Sequence, residues 1–152
     1  MLLNDEYFMR EALKEAKIAF DNNEVPIGAA LVCNNTIIAK AHNQTELLQD
    51  PTAHAEMLAL TAGTTKLGSK YLDECTLYVT LEPCSMCAGA CFWTRVGKII
   101  YATQDKKRGF ELFNRAILHP KTKLKKGILE KESKELLKKF FESKRGNLKI
   151  KS

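Results

Sequence analysis

A chain of 152 residues, 45% of them apolar, is long enough for one domain with an ordinary core, and no run approaches the ~18 apolar residues of a membrane-crossing helix. Met1-Leu2-Leu3-Asn4-Asp5-Glu6 lacks the leader of a secretory signal; five cysteines, two of them in a C-x-x-C pair, argue for a reducing, cytoplasmic setting rather than a disulfide framework. The net charge of +6 is uneven, because residues 121–152 hold twelve Lys/Arg against four Asp/Glu while the first 120 are slightly acidic. Such a basic third suits a phosphate-bearing partner, and it equally suits a solvated Lys-rich helix face.

Asn4 is placed to cap a helix running through Asp21. Met9, Ala12, Leu13, Ala16, Ala19 and Phe20 recur at helical spacing, and Asp5 and Glu6 suit the positive end of its dipole. Val25 to Cys33 is short and apolar and reads as a strand, with Asn34-Asn35 as a tight turn into a second strand, Thr36 to Ala41. Asp50-Pro51-Thr52 precedes a helix that contains His54, Glu56, Met57, Leu58 and Leu60. Thr76 to Leu81 alternates as a strand, Pro83 introduces a helix over Cys84 to Thr94, and Lys98 to Thr103 is a further strand. Glu130 to Lys144 reads as a last helix with Leu136, Leu137, Phe140 and Phe141 on one face, leaving Gly146 to Ser152 as a loose basic tail. Strands alternating with helices predict one α/β domain over residues 1–152, its sheet covered on both sides. Cys33, Cys75 and Cys91 lie in apolar surroundings and read as buried small side chains.

The chemistry concentrates in two places. His54-Ala55-Glu56 and Pro83-Cys84-Ser85-Met86-Cys87 offer one imidazole and two thiolates to a metal, with a carboxylate two residues after the histidine. Each motif opens a predicted helix, so two helix N-termini can converge on one ion and favour thiolate over thiol. Three protein ligands leave a tetrahedral zinc ion one open position, the mark of a catalytic site. The expected set is therefore one Zn2+ per chain on His54, Cys84 and Cys87, with Glu56 as the proton carrier. H-x-E followed by P-C-x-x-C is a signature already recognised for zinc-dependent nucleobase deaminases. A C-x-x-C redox pair has no need of a distant His-x-Glu, and His42 and His119 lack the spacing of a fourth structural ligand.

Longer stretches carry a resemblance. Glu24-Val25-Pro26-Ile27-Gly28-Ala29, Asp50 to Met57, and Leu77 to Ala90 resemble the cytidine-deaminase-like superfamily, and within it the bacterial tRNA-specific adenosine deaminases. Gly127-Ile128-Leu129, Leu136-Leu137, Phe140-Phe141 and Arg145 follow that family's terminal helix, so the similarity spans about Asp5 to Arg145. The resemblance implies a three-layer α/β/α fold around a mixed sheet of about five strands. It implies hydrolytic conversion of the wobble adenosine of a tRNA anticodon stem-loop to inosine, by a homodimer. By position it implies that Asn43 binds the flipped nucleotide, that the Ala55 amide hydrogen-bonds the base, that Asp105 lies near neighbouring nucleotides, and that Phe141 and Arg145 flank the anticodon loop. From the residues alone, Asn43 could equally end a strand, Phe141 could be core, and Asp105 and Arg145 could be solvated charges. The segment Arg108 to Lys123 departs from the family pattern, with no Asn-His pair after Pro120, and implies a rebuilt rim. The alternative is a deaminase of a free base or nucleoside, guanine first and cytosine or cytidine next, which has no need of a basic C-terminal third.

Overall fold

A computed structural model describes residues 2–151. The elements run α1 (Asp5–Asp21), β1 (Gly28–Cys33), β2 (Thr36–His42), α2 (Ala55–Leu67), β3 (Cys75–Leu81), α3 (Ser85–Thr94) and β4 (Lys98–Thr103). Two 3-10 turns, Phe110–Leu112 and Arg115–Ile117, then lead to β5 (Lys123–Lys126) and α4 (Glu130–Lys151). Asn4 caps α1 as expected, its side chain accepting from the Tyr7 amide at 2.9 Å.

The sheet order is β2-β1-β3-β4-β5. β1 pairs antiparallel with β2 and β3, whereas β3, β4 and β5 are mutually parallel. On one face, Phe8, Met9 and Ala12 of α1 pack on Ala30, Tyr78 and Ile100. α4 joins that layer: Ser133 Oγ donates to the Thr80 carbonyl at 2.6 Å, and Phe140 packs 6.1 Å from Phe20, ring to ring. On the other face, Ala59 and Leu60 of α2 and Ala88 and Cys91 of α3 cover Leu31, Leu77 and Ile99. This is the expected α/β/α sandwich. Each large apolar side chain fully buried between its layers stabilises by about 1.5–3 kcal/mol. Close approach decides one position: a Cβ on Gly28 would overlap the Ala12 carbonyl, so only glycine lets α1 lie on β1 there.

Three expectations change. The segment Val25 to Ile27 is not strand, because Pro26 has no N–H for a ladder and the Ile27 amide turns back to the Val25 carbonyl at 2.8 Å. β5 appears where a charge run hid it: Lys-Leu-Lys-Lys offers one apolar residue, and lysines suit a sheet edge that must not pair with other chains. Residues 146–151 are not a loose tail. α4 continues to Lys151, carrying Gly146 at the roughly 1 kcal/mol that an interior glycine costs, and Ser152 lies outside the described residues.

The strand directions bring four chain segments to one edge. The ends of β2, β3 and β4 and the start of β1 all meet there, since Gly28 pairs with His42 and Leu81 with Thr103. In open α/β sheets, that crevice beyond the strand ends is where ligands bind.

Candidate metal-centred active site

His54 and Cys84 are the N-cap residues of α2 and α3, each with extended backbone, and neither side chain caps its own helix. Both are thereby free to face each other. Cys87 follows one turn into α3 and lies on the same side. His54 Nδ1 is 3.6 Å from Cys84 Sγ and 3.6 Å from Cys87 Sγ, and all three donor atoms lie within 4.8 Å of one another. Around a tetrahedral zinc ion, with Zn–S about 2.3 Å and Zn–N about 2.0 Å, donor atoms stand roughly 3.5–3.8 Å apart. The donor set and its spacing fit a metal. The hydrogen bond between the two thiols holds Cys84 down to about 4, with help from His54, and pushes Cys87 up.

Glu56, in the first turn of α2, is buried, and its Oε1 has no hydrogen-bond partner. Burial pushes its carboxyl up to about 7. An unsatisfied buried carboxylate oxygen costs about 1–3 kcal/mol or more, so folds rarely retain one that has nothing to do. Here it stands beside three metal donors.

These residues floor a cavity of about 1380 Å³, lined by Asn43, His54, Glu56 and Cys84 among others. Asp105, Phe141 and Arg145 also line it. Phe141 is 44% exposed while its neighbour Phe140 is 6% exposed, so of that apolar pair only Phe140 is core. The Ala55 amide does not meet the cavity free. Ala55 is fully buried and its N–H donates to Asn43 Oδ1 at 2.8 Å. That bond orients the Asn43 amide, leaving its NH2 group, a donor, as the part available to a ligand. Asp105 Oδ1 accepts the Lys107 and Arg108 amides at 3.0 and 3.1 Å and so shapes its own turn.

Sequence reasoning missed two buried carboxylates, Glu24 and Glu82, each 2% exposed and each accepting backbone amides from a cavity wall. An acid directly after the apolar strand Cys75–Leu81 was the available signal. It also missed Lys106 and Lys107 on the rim, which stand there beside Arg108, the first residue of the segment expected to form a rebuilt rim. Of the basic third, by contrast, only Lys134 and Arg145 among its described cations reach the cavity. Phe110 is wholly buried, while Phe113 and Trp93 are 57% and 77% exposed, and none of the three lines the cavity.

Residues 3–145 match a family model described as MafB19-like deaminase. The chain is 46% identical to a tRNA-specific adenosine deaminase of Aquifex aeolicus, over 96% of this chain and 99% of the relative. It is 44% identical to the tRNA-specific adenosine deaminase of Bacillus subtilis, over 92% and 90% of the two chains. It superposes with a TM-score of 0.80 and 40% identity, over 86% of this chain and 98% of the other, on a structure solved in work on A-to-I editing by tRNA:A34 deaminases at the wobble position. With similarity of that breadth at the level of sequence and fold alike, the chain belongs to the MafB19-like deaminases and to the family of tRNA-specific adenosine deaminases.

Proposed function

We propose that this protein deaminates adenosine to inosine at the wobble position of a tRNA anticodon loop, with one zinc ion per chain on His54, Cys84 and Cys87. The observation that carries the chemistry is the orphaned, buried Glu56 oxygen beside three clustered metal donors. When bound, zinc supplies Lewis acidity that makes hydroxide available from water near neutral pH. Glu56 takes the proton from water as oxygen adds to purine C6, delivers it to the ring nitrogen, and assists the amino group to leave as ammonia. The net change is a C6 carbonyl in place of the amine. Asn43 presents its amide NH2 to the extruded nucleotide, with its oxygen held by Ala55. Asp105, Phe141 and Arg145 border the neighbouring nucleotides.

Cavity size favours a polymer over a free base. At about 1380 Å³ it exceeds the roughly 300–1,000 Å³ of ordinary small-molecule pockets, and five cations line it. A cytoplasmic setting agrees with the free thiols, and no described helix is long and apolar enough to cross a membrane. A homodimer is supported by exposed apolar side chains outside the cavity, Trp93, Leu112 and Phe113. The test compares an anticodon stem-loop containing a wobble adenosine with free adenosine, guanine and cytosine. Inosine in the RNA is the expected product; turnover of free guanine alone would replace this reading with the free-base one.

A further inference from the structure

The cavity wall after β4 has no strand or helix between Thr103 and the short turn at Phe110. Much of its order comes from one side chain. Glu82 lies between β3 and Pro83-Cys84, 2% exposed. Its Oε1 accepts the Asp105 amide at 3.0 Å and its Oε2 the Glu111 amide at 3.0 Å. The two amides are six residues apart, so one carboxylate closes the segment into a loop. Gly109 packs directly on that carboxylate, and a Cβ there would overlap both its oxygens. Backbone contacts extend the same junction: Cys84 and Gly109 form an isolated bridge, and the Phe110 amide donates to the Pro83 carbonyl at 2.9 Å.

Both Glu82 oxygens serve backbone donors, so what Glu82 contributes passes through the segment it holds. That segment places Asp105, Lys106, Lys107 and Arg108 on the cavity. We propose that Glu82 is a positioning residue for the substrate: clamping the Asp105 and Glu111 amides, it sets the Lys106–Arg108 cations over the cavity and governs affinity for a phosphate-bearing strand. The choice of strand as probe rests on the RNA reading above; the clamp does not. Gln at position 82 keeps the shape but faces one of the two amides with an NH2 group. Ala at Gly109 attacks the same junction from the other side.

The test uses zinc-loaded, full-length protein as wild type, Glu82→Gln and Gly109→Ala. It reads steady-state kinetics on the anticodon stem-loop and amide hydrogen exchange over residues 103–113. In both variants KM should rise roughly tenfold while kcat at saturation falls less than threefold and zinc content stays at the wild-type level. Exchange at the Asp105 and Glu111 amides should accelerate about tenfold or more. An unchanged KM, or a fall in kcat at constant KM, overturns the proposal. If wild type leaves the RNA unmodified, the substrate reading fails by itself, and exchange still decides the clamp: unchanged protection overturns it and faster exchange sustains it. Should Glu82→Gln fail to fold, Gly109→Ala carries both readings.

Discussion

The two walls of the cavity are built by the same device and carry opposite charge. Glu24 holds the wall between β2 and α2, accepting the Glu46 and Leu47 amides at 3.0 and 2.9 Å, while Glu82 holds the wall after β4. Irregular segments leave backbone donors without ladder partners, and a buried carboxylate satisfies two of them at once. The first wall presents Glu46 and Asp50, the second Lys106, Lys107 and Arg108. Anchoring and charge are therefore separate properties. The buried acid fixes where a wall stands, and the exposed residues set its charge; on the proposed function, phosphate would face 106–108, and base and sugar would face 43–50.

The largest test strikes the floor that both walls share. Glu56→Ala should lower single-turnover inosine formation by about 10²–10⁴-fold, the usual worth of positioned acid–base catalysis, while metal analysis finds one zinc per chain. Retained turnover would remove Glu56 from its role. Next comes the contrast of walls. Replacing Lys106, Lys107 and Arg108 together by Ala should flatten the dependence of log KM on log salt by roughly 2 for single-stranded contacts. Glu46→Ala should leave that slope as it is, and equal effects on both sides would erase the proposed polarity. A smaller effect belongs to the junction of the first wall with the floor. Asn43→Ala strands the buried Ala55 amide and should cost about 1–3 kcal/mol by denaturant melts, beyond any change in KM.

The smallest lies away from both walls. Burial alone would raise Asp5, but hydrogen bonds from Lys125 at 2.8 Å and Tyr78 at 2.7 Å outweigh it and hold the carboxyl below its ordinary 3.8. A lowered folded value means stability present above 3.8 and lost as pH falls through that lowered value. Asp5→Asn should thus cost about 1 kcal/mol at neutral pH, lose less than wild type on acidification, and leave KM for RNA unchanged. A matching acid limb in thermal melts would refute it.

The floor was legible because its signal is local. His54 and Glu56 are two residues apart, Cys84 and Cys87 three, and such spacings survive whatever the rest of the chain does. Helix α1 was legible for the same reason, its cap and its apolar stripe both lying within one segment. β5 was not: Lys123–Lys126 looks like solvated charge, and only its pairing with Lys98–Tyr101 of β4 makes it a strand. The basic third misled in part, since several of its cations serve elsewhere, Lys125 with Asp5 and Lys126 with Glu111.

By itself, then, the sequence determined the reaction class, the pairing of a His-x-Glu with a Cys-x-x-Cys motif, and the alternation of helices and strands, because each rests on residue types at short range. The tertiary structure alone decided what surrounds them. Glu82 meets the Glu111 amide across 29 residues, and Glu24 meets Leu47 across 23. Asn43 meets the Ala55 amide across twelve, and Lys106 to Arg108 reach the cavity only because parallel β3 and β4 end at one edge. Burial and long-range hydrogen bonding turn an ordinary glutamate into an anchor, and neither is written in the residue's own neighbourhood.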